Sequence, residues 1–246
     1  MSQAVPVLTV LQPTTALTAR DWDDIWALSC RFYDTERVYV ELNLRRHAEI
    51  ALFWQGGVLV GMAAVDVYGL HFEERARRVI FTSQALLDEA VRGHNLLQWL
   101  GLRVFLRERL RHPLQRIDWF FDTFSYKSYY LLPRNFAEYW PRHDCATPPD
   151  VATLMDHLAL RRYGRDWQAD IGVVRSSGHK RLRSEIAPLG EATLSDPHIR
   201  FFASRNPGHA QGDLLVCLCP LHLANWLSLA RHALRRAWRL VPATSR

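Results

Sequence analysis

The stretch VIFTSQALLDEAVRGHNLLQWLGLRVFLRERL, residues 79–110, decides the fold of this chain. It opens as an apolar, β-branched strand pattern from Val79 to Leu87. It then breaks into the charged, glycine-bearing turn Asp88-Glu89-Ala90-Val91-Arg92-Gly93-His94-Asn95. From Leu96 to Leu110 it follows a helical period, with Leu96, Leu97, Leu100, Val104 and Leu110 on one face. The first amides of a helix have no partner within it, so the residues that open this helix leave backbone donors to be satisfied from outside.

Working upstream, Val58 to Tyr68 reads as a longer strand and Glu49 to Trp54 as a shorter one, joined by the hairpin signal Gly56-Gly57. With Val79 to Leu87 they form an antiparallel meander. Thr18 and Asp21 have capping-box spacing and open a helix whose face carries Trp22, Ile25, Trp26, Ser29, Phe32 and Tyr33. Val7 to Leu11 is a first strand, and Arg45, Arg46 and His47 lie in a polar connection. Downstream, Pro113 ends the long helix, Ile117 to Thr123 is a strand, Ser125 to Leu132 a short helix and Phe136 to Trp140 a short strand.

Beyond residue 140 the character changes. Pro148-Pro149 reads as a linker, and a helix runs from Val151 to about Tyr163. Residues 164–212 mix Gly, Ser, Pro and charge without a period. Leu214 to Leu218 is an apolar strand that completes the sheet, and Leu221 to Leu240 a basic amphipathic helix. The expected organisation is a core over residues 1–140 and an added region over 141–246.

The chain has 246 residues, 48% hydrophobic and 23% charged, enough for one full core. A net charge of +6 and nine Trp favour anionic and apolar partners. Cys30, Cys145, Cys217 and Cys219 make no CxxC pair, so neither a zinc site nor a disulfide framework is expected, and reduced thiols point to a cytoplasmic setting. The start MSQAVPVLTVLQPTT lacks a basic n-region and reads as no signal peptide. No HExxH, GxSxG or Walker pattern occurs, so no metal is expected.

The order of helix, three antiparallel strands, helix, strand, helix and strand resembles the GCN5-related N-acetyltransferase (GNAT) superfamily. The resemblance covers about residues 15–140 and the strand near 216. Two motifs carry it. Arg92-Gly93-His94-Asn95-Leu96-Leu97 corresponds to the family's Arg/Gln-x-x-Gly-x-Gly/Ala turn: Arg92 and Gly93 fit its common opening, while Asn95 stands where glycine and Leu97 where glycine or alanine is usual. Tyr129-Tyr130-Leu131-Leu132-Pro133-Arg134-Asn135-Phe136 is similar to the family's helix ending in Leu-Tyr-x-x-x-Gly-Phe, without the glycine.

The resemblance implies an α/β (α+β) fold with a mixed central sheet flanked by helices and a helical C-terminal extension. It implies a divergent N-acyltransferase that takes an acyl group, of long chain on our reading, from an acyl-CoA or acyl-phosphopantetheine donor to an amine of a small molecule or peptide. It further implies a splayed V between the strands at 79–87 and 117–123. The amides of Arg92, Gly93, His94, Asn95, Leu96 and Leu97 would hold the pyrophosphate. Backbone groups at Ser83, Ala85 and Leu87 would polarise the carbonyl. Tyr130, with Tyr129 second, would protonate the thiolate.

The general base stays open among Asp88, Glu89, Asp118 and Asp122. Strand alternation favours Asp122, and Glu89 stands at the strand's end. Each also suits a solvated charge or a cap, and Arg92 also suits pairing with Asp88 or Glu89. Arg103, Arg107 and Arg111 form a basic stripe that fits an acidic acyl carrier protein, the 3′-phosphate of coenzyme A, or plain solvent. The helix 221–240 pairs an apolar face (Leu223, Trp226, Leu227, Ala230, Leu234, Ala237, Trp238) with a basic one (Arg231, His232, Arg235, Arg236, Arg239), suiting a membrane surface or packing on the domain. Dispersed basic residues disfavour nucleic acid. The competing reading is a catalytically inactive module of the same fold that binds without transferring.

Overall fold

The structure is a computed structural model that describes the backbone over residues 5–240 and side chains over residues 5–232. Strand β1 (Val7–Pro13) leads to helix α1 (Ala19–Phe32), opened by Thr18 and Asp21 in a reciprocal capping box. Its inner face buries Trp22, Ile25, Leu28, Ser29 and Phe32. Strand β2 (Tyr33–Thr35) and helix α2 (Arg37–Leu44) follow, where the sequence gives only a polar connection. The helix is short and buries only Val40 and Leu44, too faint a period to stand out.

The meander is present as β3 (Glu49–Gln55), β4 (Val58–Phe72) and β5 (Arg75–Leu87), each longer than its sequence pattern. Gly56 and Gly57 turn the first hairpin at φ of 58° and 80°, and Glu73 and Glu74 the second at 47° and 59°. Helix α3 (Leu96–Arg111) crosses over to β6 (Arg116–Thr123), which lies parallel to β5. It buries Leu100, Val104, Phe105 and Glu108. Leu110, expected on the apolar face, is 83% exposed because the helix turns it past the edge of that contact.

Two short helices, α4 (Tyr126–Tyr129) and α5 (Leu131–Asn135), replace the single one expected. The strand expected over 136–140 is not formed. Asn225 Oδ1 accepts from the amides of Ala137 and Glu138, and only Trp140 bridges a strand, at Leu218. Pro149, expected in a linker, is instead the first residue of α6 (Pro149–Tyr163), where a missing N–H costs nothing.

Three short strands, β7 (Trp167–Gln168), β8 (Val173–Val174) and β9 (Lys180–Leu182), two helices, α7 (Glu191–Leu194) and α8 (Pro197–Arg205), strand β10 (Leu214–Pro220) and helix α9 (Leu223–Leu240) complete the chain. The main sheet has the order β1-β3-β4-β5-β6-β10-β8-β7, and β2 pairs with β9 apart from it. The fold is therefore a mixed central sheet flanked by helices, with β10 completing it beside β6 as expected. One face of the sheet packs under α3 and α8, with Phe53, Val104, Tyr129 and Phe202. On the other, α1 and α2 cover β3 and β4, while α6 covers the part around Phe81, Phe120 and Val216.

Candidate active site

Strands β5 and β6 pair only from Arg77↔Arg116 to Thr82↔Phe121. Past that point β5 stays with β4 as far as Leu87↔Gly61, while Asp122 and Thr123 of β6 stay with β10. The two parallel strands thus part into the V that the resemblance implies. The parting coincides with a bulge. The β4–β5 register shifts between Met62 and Ala64, and Gln84 takes a left-handed φ of 54°. A bulge bends its strand and frees backbone groups from the ladder. Gly61 permits it, because a Cβ there would stand 2.6 Å from Leu87 Cδ2 and 2.8 Å from the Leu86 carbonyl oxygen.

The freed edge faces the gap. Asp88 donates its amide to the Val60 carbonyl on the β4 side at 2.7 Å. Alternation then turns the amide of Leu87, and behind it that of Ala85, toward the V. Ala85 is exposed and Leu87 half-buried. Ser83 is buried and bridges the base of the gap, its Oγ donating to Asp122 Oδ1 at 2.8 Å. Tyr163, at the end of α6, donates to Asp122 Oδ2 at 2.6 Å. Burial holds the Tyr163 phenol well above its ordinary range, so it remains a donor.

At the mouth, Gly93 (φ 92°) and Asn95 (φ 56°) make the turn into α3. Among the described residues the amides of Gly93, Asn95, Leu96, Leu97 and Gln98 donate to no protein acceptor. Gly93, His94 and Asn95 are exposed, whereas the side chains of Leu96 and Leu97 pack on the main core. The bulk of Leu97 therefore goes inward and the amide edge stays open. Arg92 donates Nε to the Leu87 carbonyl at 3.3 Å and lies 3.6 Å from Glu89. Lys127, at the start of α4, adds a second cation; partial burial and then the nearby Arg92 depress its pKa.

The other candidates are placed as follows. Glu89 has a side chain 89% exposed. Asp88 is held 2.6 Å from Arg31. Asp118 is buried against Arg77 at 2.9 Å, deep in the paired part of the strands. Tyr129 is fully buried and donates to the Pro141 carbonyl at 3.1 Å. Tyr130 is half-buried and donates to Asp196 Oδ2 at 2.6 Å, and that bond first, then burial, raises its pKa. The expected stripe on α3 is not a row of free cations. Arg107 binds Glu49, at the start of β3, and Glu108, and Arg111 pairs with Glu108 one turn earlier on α3.

The sequence reading missed what residues 164–212 bring to the gap. β9 pairs with β2, Thr35↔Lys180 to Tyr33↔Leu182, and carries the buried Lys180 into the V. Lys180 Nζ donates to Gln84 Oε1 on the bulge and lies 3.7 Å from the centroid of the Tyr33 ring. Burial pushes its pKa down to about 7. Leu182 and Ile186 pack on the cluster that includes Leu86, with Phe124 beside them. A mostly apolar groove of about 190 Å³ runs past Phe124, Tyr126, Leu182, Pro188 and Leu189. No local signal pointed to these contacts, since Gln84 and Lys180 are 96 residues apart.

For the basic C-terminal helix, the Trp226 ring packs tilted against Phe105 with centroids 4.4 Å apart, while Leu223 and Leu227 are 73% and 48% exposed. The side chains of Leu234, Arg235, Arg236, Ala237, Trp238 and Arg239 lie outside the described residues. Among the described residues no helix is long and apolar enough to cross a membrane.

No family model matches the sequence, nor does any curated protein. Solved structures resemble it in fold. ElaA of Escherichia coli aligns at TM-score 0.34 and 13% identity over 56% of this chain and 93% of that one. The GNAT family N-acetyltransferase YhbS of Escherichia coli, solved in complex with CoA, aligns at TM-score 0.36 and 16% identity over 53% and 69%. An acyl-CoA N-acyltransferase from Pseudomonas aeruginosa aligns at TM-score 0.35 and 12% identity over 47% and 79%. Likeness at this level carries no argument about activity, which has to rest on the geometry of the gap.

Proposed function

We propose that this chain is a divergent GNAT-like N-acyltransferase, moving an acyl group from a thioester to an amine. One observation carries the reading. Two parallel strands part beside a helix N-terminus whose amides are unsatisfied and flanked by Arg92 and Lys127. Such a corner stabilises the phosphates of a coenzyme A or acyl-phosphopantetheine donor. The gap then receives the thioester arm.

In this reading the amides of Ala85 and Leu87 stabilise the carbonyl oxygen as it gains charge. Asp122 takes the proton released by the attacking amine, with Ser83 and Tyr163 fixing both its oxygens. Among the described residues Asp122 forms no ion pair with an arginine; its hydrogen-bond partners are the two hydroxyls. Tyr130 is the phenol assigned to the departing thiolate, and it must exchange its bond to Asp196 to serve. The apolar groove by Phe124 and Leu189 supports a medium or long acyl chain, delivered by coenzyme A or an acyl carrier protein. The acceptor is an amine on a small molecule or peptide. The exposed Leu223 and Leu227 support a peripheral membrane contact of α9, testable by vesicle co-sedimentation.

A mass-spectrometric transfer assay across acyl-CoA chain lengths and acyl carrier protein, with a panel of amines, tests this. Transfer with a preference for the longer chains is expected, and exclusive use of acetyl-CoA contradicts the chain-length assignment. One observation favours a non-catalytic binding module instead: the segment carrying Leu182 and Ile186 lies against the walls of the gap. Thermal shift separates the two. No stabilisation by coenzyme A, acyl-CoA or acyl carrier protein contradicts the transferase.

A further inference from the structure

The chain contains 29 arginines and only two lysines, Lys127 and Lys180, and both lie at the gap. Their settings differ. Lys127 is exposed, bonded to the Ile186 carbonyl at 2.5 Å, and set near Arg92. Lys180 is 8% exposed and projects from β9 onto the bulge at which the reactive edge of β5 begins.

We infer that Lys180 is itself an acyl acceptor, so that the protein acylates its own chain at this side chain. The inference rests on the N-acyltransferase reading above. Three observations carry it. Lys180 Nζ is bonded to Gln84, one residue before the amide of Ala85 assigned to the thioester carbonyl. Its surroundings are aromatic, with Tyr33 at 3.7 Å and Phe124 at 5.3 Å; Asp122 acts on it from beyond ion-pair distance, its two oxygens bonded to Ser83 and Tyr163. An ammonium buried with one neutral amide partner loses hydration that this bond does not replace, and that loss outweighs the attraction of Asp122, so the neutral, nucleophilic amine is favoured.

The strand is also fixed in place rather than draped over the gap. Thr35 Oγ1 donates to the His179 carbonyl at 2.8 Å, and the Arg183 amide to the Phe32 carbonyl at 2.9 Å. Gly212, at φ 98°, lets the Lys180 carbonyl come closer than any Cβ would allow.

The step balances without another reactant. The Nζ lone pair attacks the thioester carbonyl carbon, a C–N bond forms and the C–S bond breaks. One proton leaves the nitrogen and one joins the sulfur, giving an amide on Lys180 and a free thiol. Acylation removes the charge that Lys180 carries when protonated and ends its contact with the Tyr33 face as a cation.

The test incubates the full chain with acetyl-CoA, and separately with decanoyl-CoA, with no added amine, followed by intact mass and peptide mapping. One acyl group on Lys180 is expected, with Lys127 unmodified and no label when the chain is unfolded in urea first. The label is expected to vanish in Lys180→Arg and Lys180→Gln variants that retain a cooperative melt. Label on Lys127 or the α-amine instead overturns the inference. So does an unmodified Lys180 in a protein that releases thiol with an added amine, which leaves the acyltransferase reading standing. No thiol release together with no thermal shift by coenzyme A overturns both.

Discussion

Asp118 and Asp122 sit four residues apart on the same strand, one in the closed part of the V and one where it opens. Asp118 is buried opposite Arg77 at 2.9 Å, and burial still raises its pKa against that cation. Nearby, Arg78 pairs with Glu108 at 2.8 Å, and Trp119 Nε1 donates to Thr82 Oγ1 at 2.8 Å. This end is sealed by ion pairs and ladder bonds. Among the described residues Asp122 accepts from two hydroxyls and faces, beyond bonding distance, the buried Lys180. The same residue type on the same strand is thus a buried counter-charge at one end and, at the other, the hydroxyl-bonded carboxylate to which the proposed function gives the role of base. What separates them is the point at which β5 leaves β6.

The contrast predicts a double dissociation, and it carries the largest effects. Asp122→Asn is expected to lower the transfer rate about 10²–10⁴-fold with the unfolding midpoint nearly kept. Asp118→Ala is expected to cost about 3–5 kcal/mol of stability, because Arg77 is left buried without its partner. Urea unfolding beside steady-state rates reads both, and equal behaviour of the two variants would erase the distinction. Next comes Gly61→Ala. Its Cβ would press on Leu87 and the Leu86 carbonyl, a strain of about 1–3 kcal/mol at the bulge. A weaker thermal shift with coenzyme A is expected, out of proportion to the loss in melting temperature.

A smaller effect concerns pH. Lys180 falls to about 7 in the folded state from an ordinary value of 10.5. Between those values the unfolded chain binds the extra proton, so this residue's contribution to stability grows as pH rises through that window. Tyr33 and Tyr163, held protonated by burial, and Asp122 are the titratable groups around it. Stability curves of the parent and Lys180→Met are expected to diverge above pH 7; parallel curves would contradict a buried neutral amine. The smallest effect is Arg92→Ala, expected to weaken coenzyme A binding about tenfold by calorimetry, in line with one charge-assisted contact.

The sequence reading reached the site from one side only. The meander and the long helix came from local period and turn chemistry, which act within a few residues, while the role given to the turn at Arg92 and the cleft that Asp122 was expected to face came from the family resemblance. Gly56-Gly57 and the Thr18–Asp21 box behaved as such signals should. Lys180, Tyr163 and the β2–β9 pair carried no such mark. Lys180 lies in a stretch without period, and β2 and β9 are three residues each. Their positions follow from long-range packing onto Tyr33 and Gln84, which no window of sequence contains.

Hydrogen–deuterium exchange with and without coenzyme A tests the central claim most directly. The account predicts slowed exchange confined to peptides spanning residues 84–98, where the open edge of β5 meets the first amides of α3. Exchange unchanged there, with or without changes elsewhere, would contradict it.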